Sequence, residues 1–306
     1  MAERETLKTG DGVRVRPFAE IVAALGKDGK SEGLPFMPEM RRYCGRNYVI
    51  AAIMTKICSG GEGMRQVVGE PLIRLEDLRC DGADHDNCSR LCTLLWKPSW
   101  LEPDGQKSSK TEGEIGPVAG GWPFRTRTIA GAYVCQVTAL SGATAPITVP
   151  GKLRLALGDV VRGEWSAPAL VRSFLRVLLR RLRAMTRRPA SRLFGGKPTP
   201  VQVLALEPGE PVEVKSSREI AATLDRRNRN RGLEFSSYML PYCGGRYRVQ
   251  ARVHAFIDER TGLMRELDNT VVLEGVTCGG DTTAGLCRRS ECLYWREIWL
   301  RRVPRP

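Results

Sequence analysis

Ten cysteines carry most of the chemistry open to this 306-residue sequence, and eight of them recur in register. The first set is Cys44-x35-Cys80-x7-Cys88-x3-Cys92; the second is Cys243-x34-Cys278-x8-Cys287-x4-Cys292. Four soft thiolates per set suit tetrahedral zinc or an iron–sulfur cluster. Buried cysteines also occur singly as small hydrophobes, but eight in register across a duplication point to shared ligation. Only Cys88-x3-Cys92 and Cys287-x4-Cys292 approach the knuckle spacing of structural zinc sites. The other two ligands of each set stand alone, as ligands of iron–sulfur centres also do. The expectation is two metal centres, with zinc favoured on base rates and two [4Fe-4S] clusters as the alternative.

His85 lies between Cys80 and Cys88. It is a surface histidine of the loop, a ligand or hydrogen-bond partner of the first centre, or the one candidate catalytic residue. The aligned stretch 279–286 has no histidine. Cys58 and Cys135 have no counterparts. Cys58 reads as a spare thiol or alternative ligand, and Cys135, among apolar residues, as core. His254 reads as structural, and the aligned Glu76 and Glu274 as partners for backbone or salt bridges. Phosphate-cradling, dinucleotide-binding and His-Glu-x2-His zinc motifs are all absent from the sequence.

The net charge is +14, from 48 Lys and Arg against 34 Asp and Glu. Such an excess favours an anionic partner, nucleic acid or an acidic protein, unless it is simply spread over solvated faces. No run of residues is apolar for long enough to span a bilayer, and the first residues lack the apolar centre of a signal peptide. The expected compartment is the cytoplasm, where thiols stay reduced and clustered cysteines serve metals.

The cysteines are positioned by an internal repeat. Residues 10–101 and 209–300 align almost without gaps, at an offset of 199 that dips to 198 around Cys80 and Cys278. Val13 and Val15 match Val212 and Val214; Phe36, Met40, Tyr43, Cys44 and Gly45 match Phe235, Met239, Tyr242, Cys243 and Gly244. Alternation in Val13–Val15 and in Tyr247–Val253 marks half-buried strands. Ala19 to Leu25 has helical spacing. The aromatics of each module, Tyr43, Tyr48, Trp96 and Trp100 in the first, serve as core or as platforms for bases.

The stretch Gly33-Leu-Pro-Phe36 to Tyr43-Cys44-Gly45-Arg-Asn-Tyr48-Val49 resembles a segment of small SH3-like barrel proteins of bacteria and phages. With the Cys-Asp-Gly…His…Cys…Cys hairpin, the chain also resembles an uncharacterised bacterial family of tandem modules. The resemblance implies a barrel that binds through its loops, and it brings no settled function.

Between the modules, Ser166-Ala-Pro168 reads as a helix start. An amphipathic helix is expected over 168–187, with Leu170, Phe174, Val177, Leu178, Leu182 and Met185 on one face. Arg172, Arg176, Arg180, Arg183 and Arg187 lie on the other face, open to an anionic partner.

The expected organisation is therefore mainly β with an α insert (α+β). Two small SH3-like β-barrel modules, 1–101 and 209–306, each hold a four-cysteine site and flank a partly helical insert, 102–208. The expected function is a metal-binding interaction module with a cationic surface. The alternative is an iron–sulfur enzyme or an accessory redox protein.

Overall fold

The computed structural model describes residues 7–59, 63–104, 121–147, 198–278 and 287–303, with Gly158, Pro168, Val171, Arg172, Leu175 and Leu179. The described residues fall into two compact units. One comprises those within 1–152, 257–265 and 287–289; the other comprises those within 153–256, 266–286 and 290–306.

The first unit is built on a five-stranded antiparallel sheet. Across it the order is Thr93–Trp96, Leu72–Arg79, Asn47–Met54, Gly12–Val15 and Leu101–Pro103. The second unit repeats that order with Cys292–Arg296, Thr270–Thr277, Arg246–Arg252, Pro211–Val214 and Leu300–Arg302. In both sheets the register slips at equivalent places, between Ile50 and Ala52 and between Val249 and Ala251. A bulge there bends and twists the strand, so each sheet curls into a half-barrel.

The alternating valines are buried, Val13 and Val15 in one sheet and Val212 and Val214 in the other. They pack with the same aromatic cluster in each copy. Phe36 meets Trp100 edge-on at 5.3 Å, and Phe235 meets Trp299 at 5.4 Å. Tyr43 meets Trp96 at 6.2 Å, and Tyr242 meets Trp295 at 6.3 Å. Each such ring buries about 150–250 Å² on folding. All four tryptophans are fully buried, so none is presented to a nucleic-acid base.

The expected α+β class, two small SH3-like β-barrel modules joined by a partly helical insert, does not hold. The protein is mainly β, with two open, curled antiparallel half-barrel sheets and few helices. Among the described residues the outer strands of each sheet, Thr93–Trp96 and Leu101–Pro103 in the first, lie at opposite margins and are not paired with each other. The α-helices Phe18–Ala24, Ser217–Ala221 and Gln136–Ala139 are short. Of the expected helix 168–187, Pro168, Val171, Arg172, Leu175 and Leu179 are helical and exposed. Arg176, Arg180, Arg183 and Arg187 lie outside the described residues. Among the described residues no helix is long and apolar enough to cross a membrane.

The copies differ beneath the last tryptophan pair. Lys97 is completely buried, and its Nζ donates to Glu32 Oε2 at 2.6 Å and to the Glu70 carbonyl at 2.9 Å. In the second copy Arg296 replaces Lys97 and Arg231 replaces Glu32. Arg296 donates instead to the backbone carbonyls of Asn230, Arg231 and Asp268 and to the Thr270 hydroxyl. It borders an open cavity of about 570 Å³, also lined by Gln202, Arg231, Glu266 and Asn269.

Burial pushes the Glu32 carboxyl up, but the hydrogen bonds from Lys97 and the Glu70 N–H, together with the charge of Lys97, outweigh it and hold the group below its ordinary value. A carboxyl whose pKa is lowered by folding stabilises fully above its unfolded value and loses that contribution as pH falls through the lowered value. Replacing Glu32 with Gln strips Lys97 of its countercharge. Breaking a buried pair costs about 3–5 kcal/mol, and the partial exposure of Glu32 reduces this to about 1–3 kcal/mol. Denaturant titrations at neutral pH should show that loss, and the difference between E32Q and the native chain should shrink as the solution is acidified below the ordinary carboxylate range.

Candidate metal centre

The loop between Leu72–Arg79 and Thr93–Trp96 is pinned at its base. Cys80 N–H donates to the Cys92 carbonyl at 2.9 Å, directly after the Arg79–Thr93 pair. Inside it, His85 N–H reaches the Gly82 carbonyl and Cys88 N–H reaches the His85 carbonyl. Gly82 has φ +67, and a Cβ there would lie 2.1 Å from the Cys88 carbonyl oxygen, so only glycine fits. Arg42 fixes the outside of the loop through two bonds to the Asp81 carboxylate, at 2.5 and 3.0 Å.

This winding brings Cys80, Cys88 and Cys92 around one small cavity. The fourth cysteine on its wall is Cys135, and Met37, His85, Val137 and Ile257 complete much of the lining. The cavity leaves about 20 Å³ free, little more than one water needs. Whatever binds there must bond directly to sulfur rather than keep a hydration shell. Cys88 Sγ also accepts the backbone N–H of Ile257 at 3.4 Å, the kind of bond that stabilises sulfur-ligated centres.

Cys135 arrives through its neighbour. Gln136 is 2% exposed, and its side-chain amide mimics a strand. Its Oε1 accepts from Leu95 N–H at 2.8 Å, and its Nε2 donates to the Leu95 carbonyl at 2.6 Å and to the Pro35 carbonyl at 3.2 Å. The open margin of the sheet is thereby satisfied. Cys135 then begins the short helix Gln136–Ala139, its N–H bonded to Thr138 Oγ1 at 3.1 Å.

Cys44 does not line this cavity. Its thiol turns toward the Met40 carbonyl at 4.0 Å, and Cys243 makes the same approach to Met239 at 3.7 Å. Burial pushes the Cys44 thiol up to about 12, against the opposing charge of Arg41. The tyrosines beside them do the anchoring. Tyr43 donates to the Arg79 carbonyl and Tyr242 to the Thr277 carbonyl, each just before the first cysteine of its loop.

His85 is buried, with both ring nitrogens engaged. Nδ1 lies 2.6 Å from Glu39 Oε1, and Nε2 lies 3.1 Å from the Val134 carbonyl. Burial lowers its pKa, but the hydrogen bond and charge of Glu39, with the Val134 carbonyl and Asp84, together outweigh this and raise it. Two acceptors face the ring, so neither nitrogen directs a lone pair at the cavity. Outside this pair, Tyr133 and Arg127 both reach the Asp86 carboxylate, and Arg127 stacks on the Tyr133 ring at 3.9 Å.

In the second copy, Cys278 N–H donates to the Glu291 carbonyl at 2.8 Å, and Thr277 pairs with Cys292. Cys287 stands 3.0 Å, sulfur to sulfur, from Cys58. Among the described residues, no three His, Cys, Asp or Glu side chains are grouped closely enough to hold one metal ion. Sequence reasoning placed Cys135 in the core. The signal that could have found it is numerical: each recurring triplet of loop cysteines leaves one place to fill, and two cysteines lack counterparts.

No family model, curated protein or solved structure matches this chain.

Truncating Gln136 to Ala removes three buried hydrogen bonds and exposes the margin of the sheet. The expected cost is about 1–3 kcal/mol, read by chemical unfolding. The same variant should let Cys135 react faster with a thiol reagent under native conditions, with Cys44 unchanged.

Proposed function

We propose that the protein is an iron–sulfur electron carrier. Its first cluster would be held by Cys80, Cys88, Cys92 and Cys135. The single observation behind this reading is four cysteines on the wall of one small, largely apolar cavity. In a single zinc site with Zn–S bonds of about 2.3 Å, all four sulfurs converge on one ion. The cysteines here surround a space without closing to that spacing. A cluster binds each thiolate through a different iron, and so takes ligands that stand further apart.

Four protein thiolates would leave no iron open to a substrate, and His85 is engaged elsewhere. These features favour electron transfer over substrate chemistry. The Ile257 N–H on Cys88 and the apolar side chains of Met37, Val137 and Ile257 are the groups that would tune the potential. The charge of +14 supports an acidic protein as the redox partner, met by electrostatic steering.

One observation favours a second reading, a structural zinc. The free space of about 20 Å³ has room for a single ion, on which the cysteines would then close. Anaerobic reconstitution with ferrous iron and sulfide separates the two. The iron–sulfur reading expects equal iron and acid-labile sulfide, with visible absorption that bleaches on reduction. Cys135→Ser should lose that centre while Cys44→Ser keeps it. Stoichiometric zinc in the isolated protein, with no iron or sulfide taken up, would establish the second reading instead.

A further inference from the structure

Cys58 stands outside the repeat, yet it lies against one of the recurring cysteines. Its sulfur is 3.0 Å from Cys287 Sγ, and its backbone N–H donates to that same sulfur at 3.4 Å. The repeat offset of 199 places Cys58 opposite Ile257 and Cys88 opposite Cys287. Ile257 N–H donates to Cys88 Sγ, also at 3.4 Å. The same N–H···S bond is therefore made twice, at corresponding positions of the two copies. At position 58 the residue supplying the N–H also supplies a thiol.

The surroundings hold that thiol in place. Cys58 lies near the end of the strand Lys56–Ser59, which pairs with Gly63–Val67. Arg289, 2% exposed, donates to the Cys58 carbonyl at 3.0 Å and reaches the Glu259 carboxylate at 3.3 Å. Ser59 Oγ donates to the same carboxylate at 3.2 Å. Backbone and neighbours on both sides are fixed, so the direction of the Cys58 side chain is set before any ligand arrives.

We propose that Cys58 and Cys287 are ligands of a second thiolate metal centre, with Cys58 in the place that the recurring Tyr-Cys-Gly motif assigns to Cys243. The proposal rests on the iron–sulfur reading of the first centre and extends it. Two thiols this close both reach a single soft ion or neighbouring irons of a cluster. On binding, each gives its proton to solvent and its sulfur lone pair to the metal, with no change in the oxidation state of sulfur. Cys243, turned toward the Met239 carbonyl, has no part in the centre. Each centre would then join at least one recurring loop cysteine, Cys287 here, to a cysteine without a counterpart, Cys58 here.

The test uses the full chain, reconstituted anaerobically with ferrous iron and sulfide, in the variants Cys58→Ser, Cys287→Ser, Cys243→Ser and Cys135→Ser. Cys58→Ser and Cys287→Ser should each retain about half the iron of the native chain, and together should lose no more than either alone. Cys243→Ser should retain all of it. Cys135→Ser should remove the other half, so that Cys58→Ser with Cys135→Ser holds none. A variant that fails to fold would lose both centres, which separates misfolding from loss of a ligand. Full iron in Cys58→Ser, loss of more than half in a Cys58→Ser chain whose circular dichroism matches the native chain, or a loss in Cys243→Ser equal to that in Cys58→Ser would overturn the assignment. A native chain that takes up no iron defeats the iron–sulfur reading itself.

Discussion

The side-chain amide of Gln136 is the interaction on which the proposed first centre depends. A curled sheet that does not close has two bare margins, and the backbone groups there need partners. At Leu95 both are met by one glutamine from a segment some 40 residues on. The same contact sets Cys135 on the wall of the cavity and the Val134 carbonyl against His85. The Glu39–His85 pair then ties the loop to the turn around Pro38–Tyr43. Satisfying the sheet margin and setting Cys135 on the cavity wall are one structural event.

The duplication gives both sheets their shared order, bulges and aromatic cores, but what surrounds those cores has diverged. Lys97 with Glu32 became Arg296 with backbone carbonyls, and a cavity of about 570 Å³ stands beside it in the second unit. Glu297, fully buried, accepts three consecutive N–H groups from Leu204, Ala205 and Leu206 and so fastens the chain entering its sheet. Each copy has solved the same packing problem with different polar groups. That suits a pair of modules whose inherited requirement is the core and the cysteine loop.

Much of the sheet was legible because its forces are local. Alternating valines, turn glycines and the recurring Phe, Tyr and Trp positions record a pleated strand with one buried face. The valines and tryptophans among them are buried in both copies. The class was misread because a long arginine-rich amphipathic pattern weighed too heavily, while the closure of the barrels was inferred from a short resemblance. At the site, Cys80, Cys88 and Cys92 could be grouped by spacing because one loop carries them. Cys44 follows Tyr43, whose ring packs on Trp96 and whose hydroxyl reaches Arg79, and its own thiol lies away from that loop's cavity. Cys135 was not legible, since a single buried amide between distant segments leaves no periodicity in a sequence.

Which cysteines surround the first centre decides between these readings. Anomalous diffraction from anaerobically grown crystals, recorded at the iron and zinc absorption edges, locates that centre without assuming its ligands. The prediction is an iron signal enclosed by Cys80, Cys88, Cys92 and Cys135, with Cys44 turned away toward Met40. A signal bonded to Cys44, or a zinc signal with none at the iron edge, would contradict it.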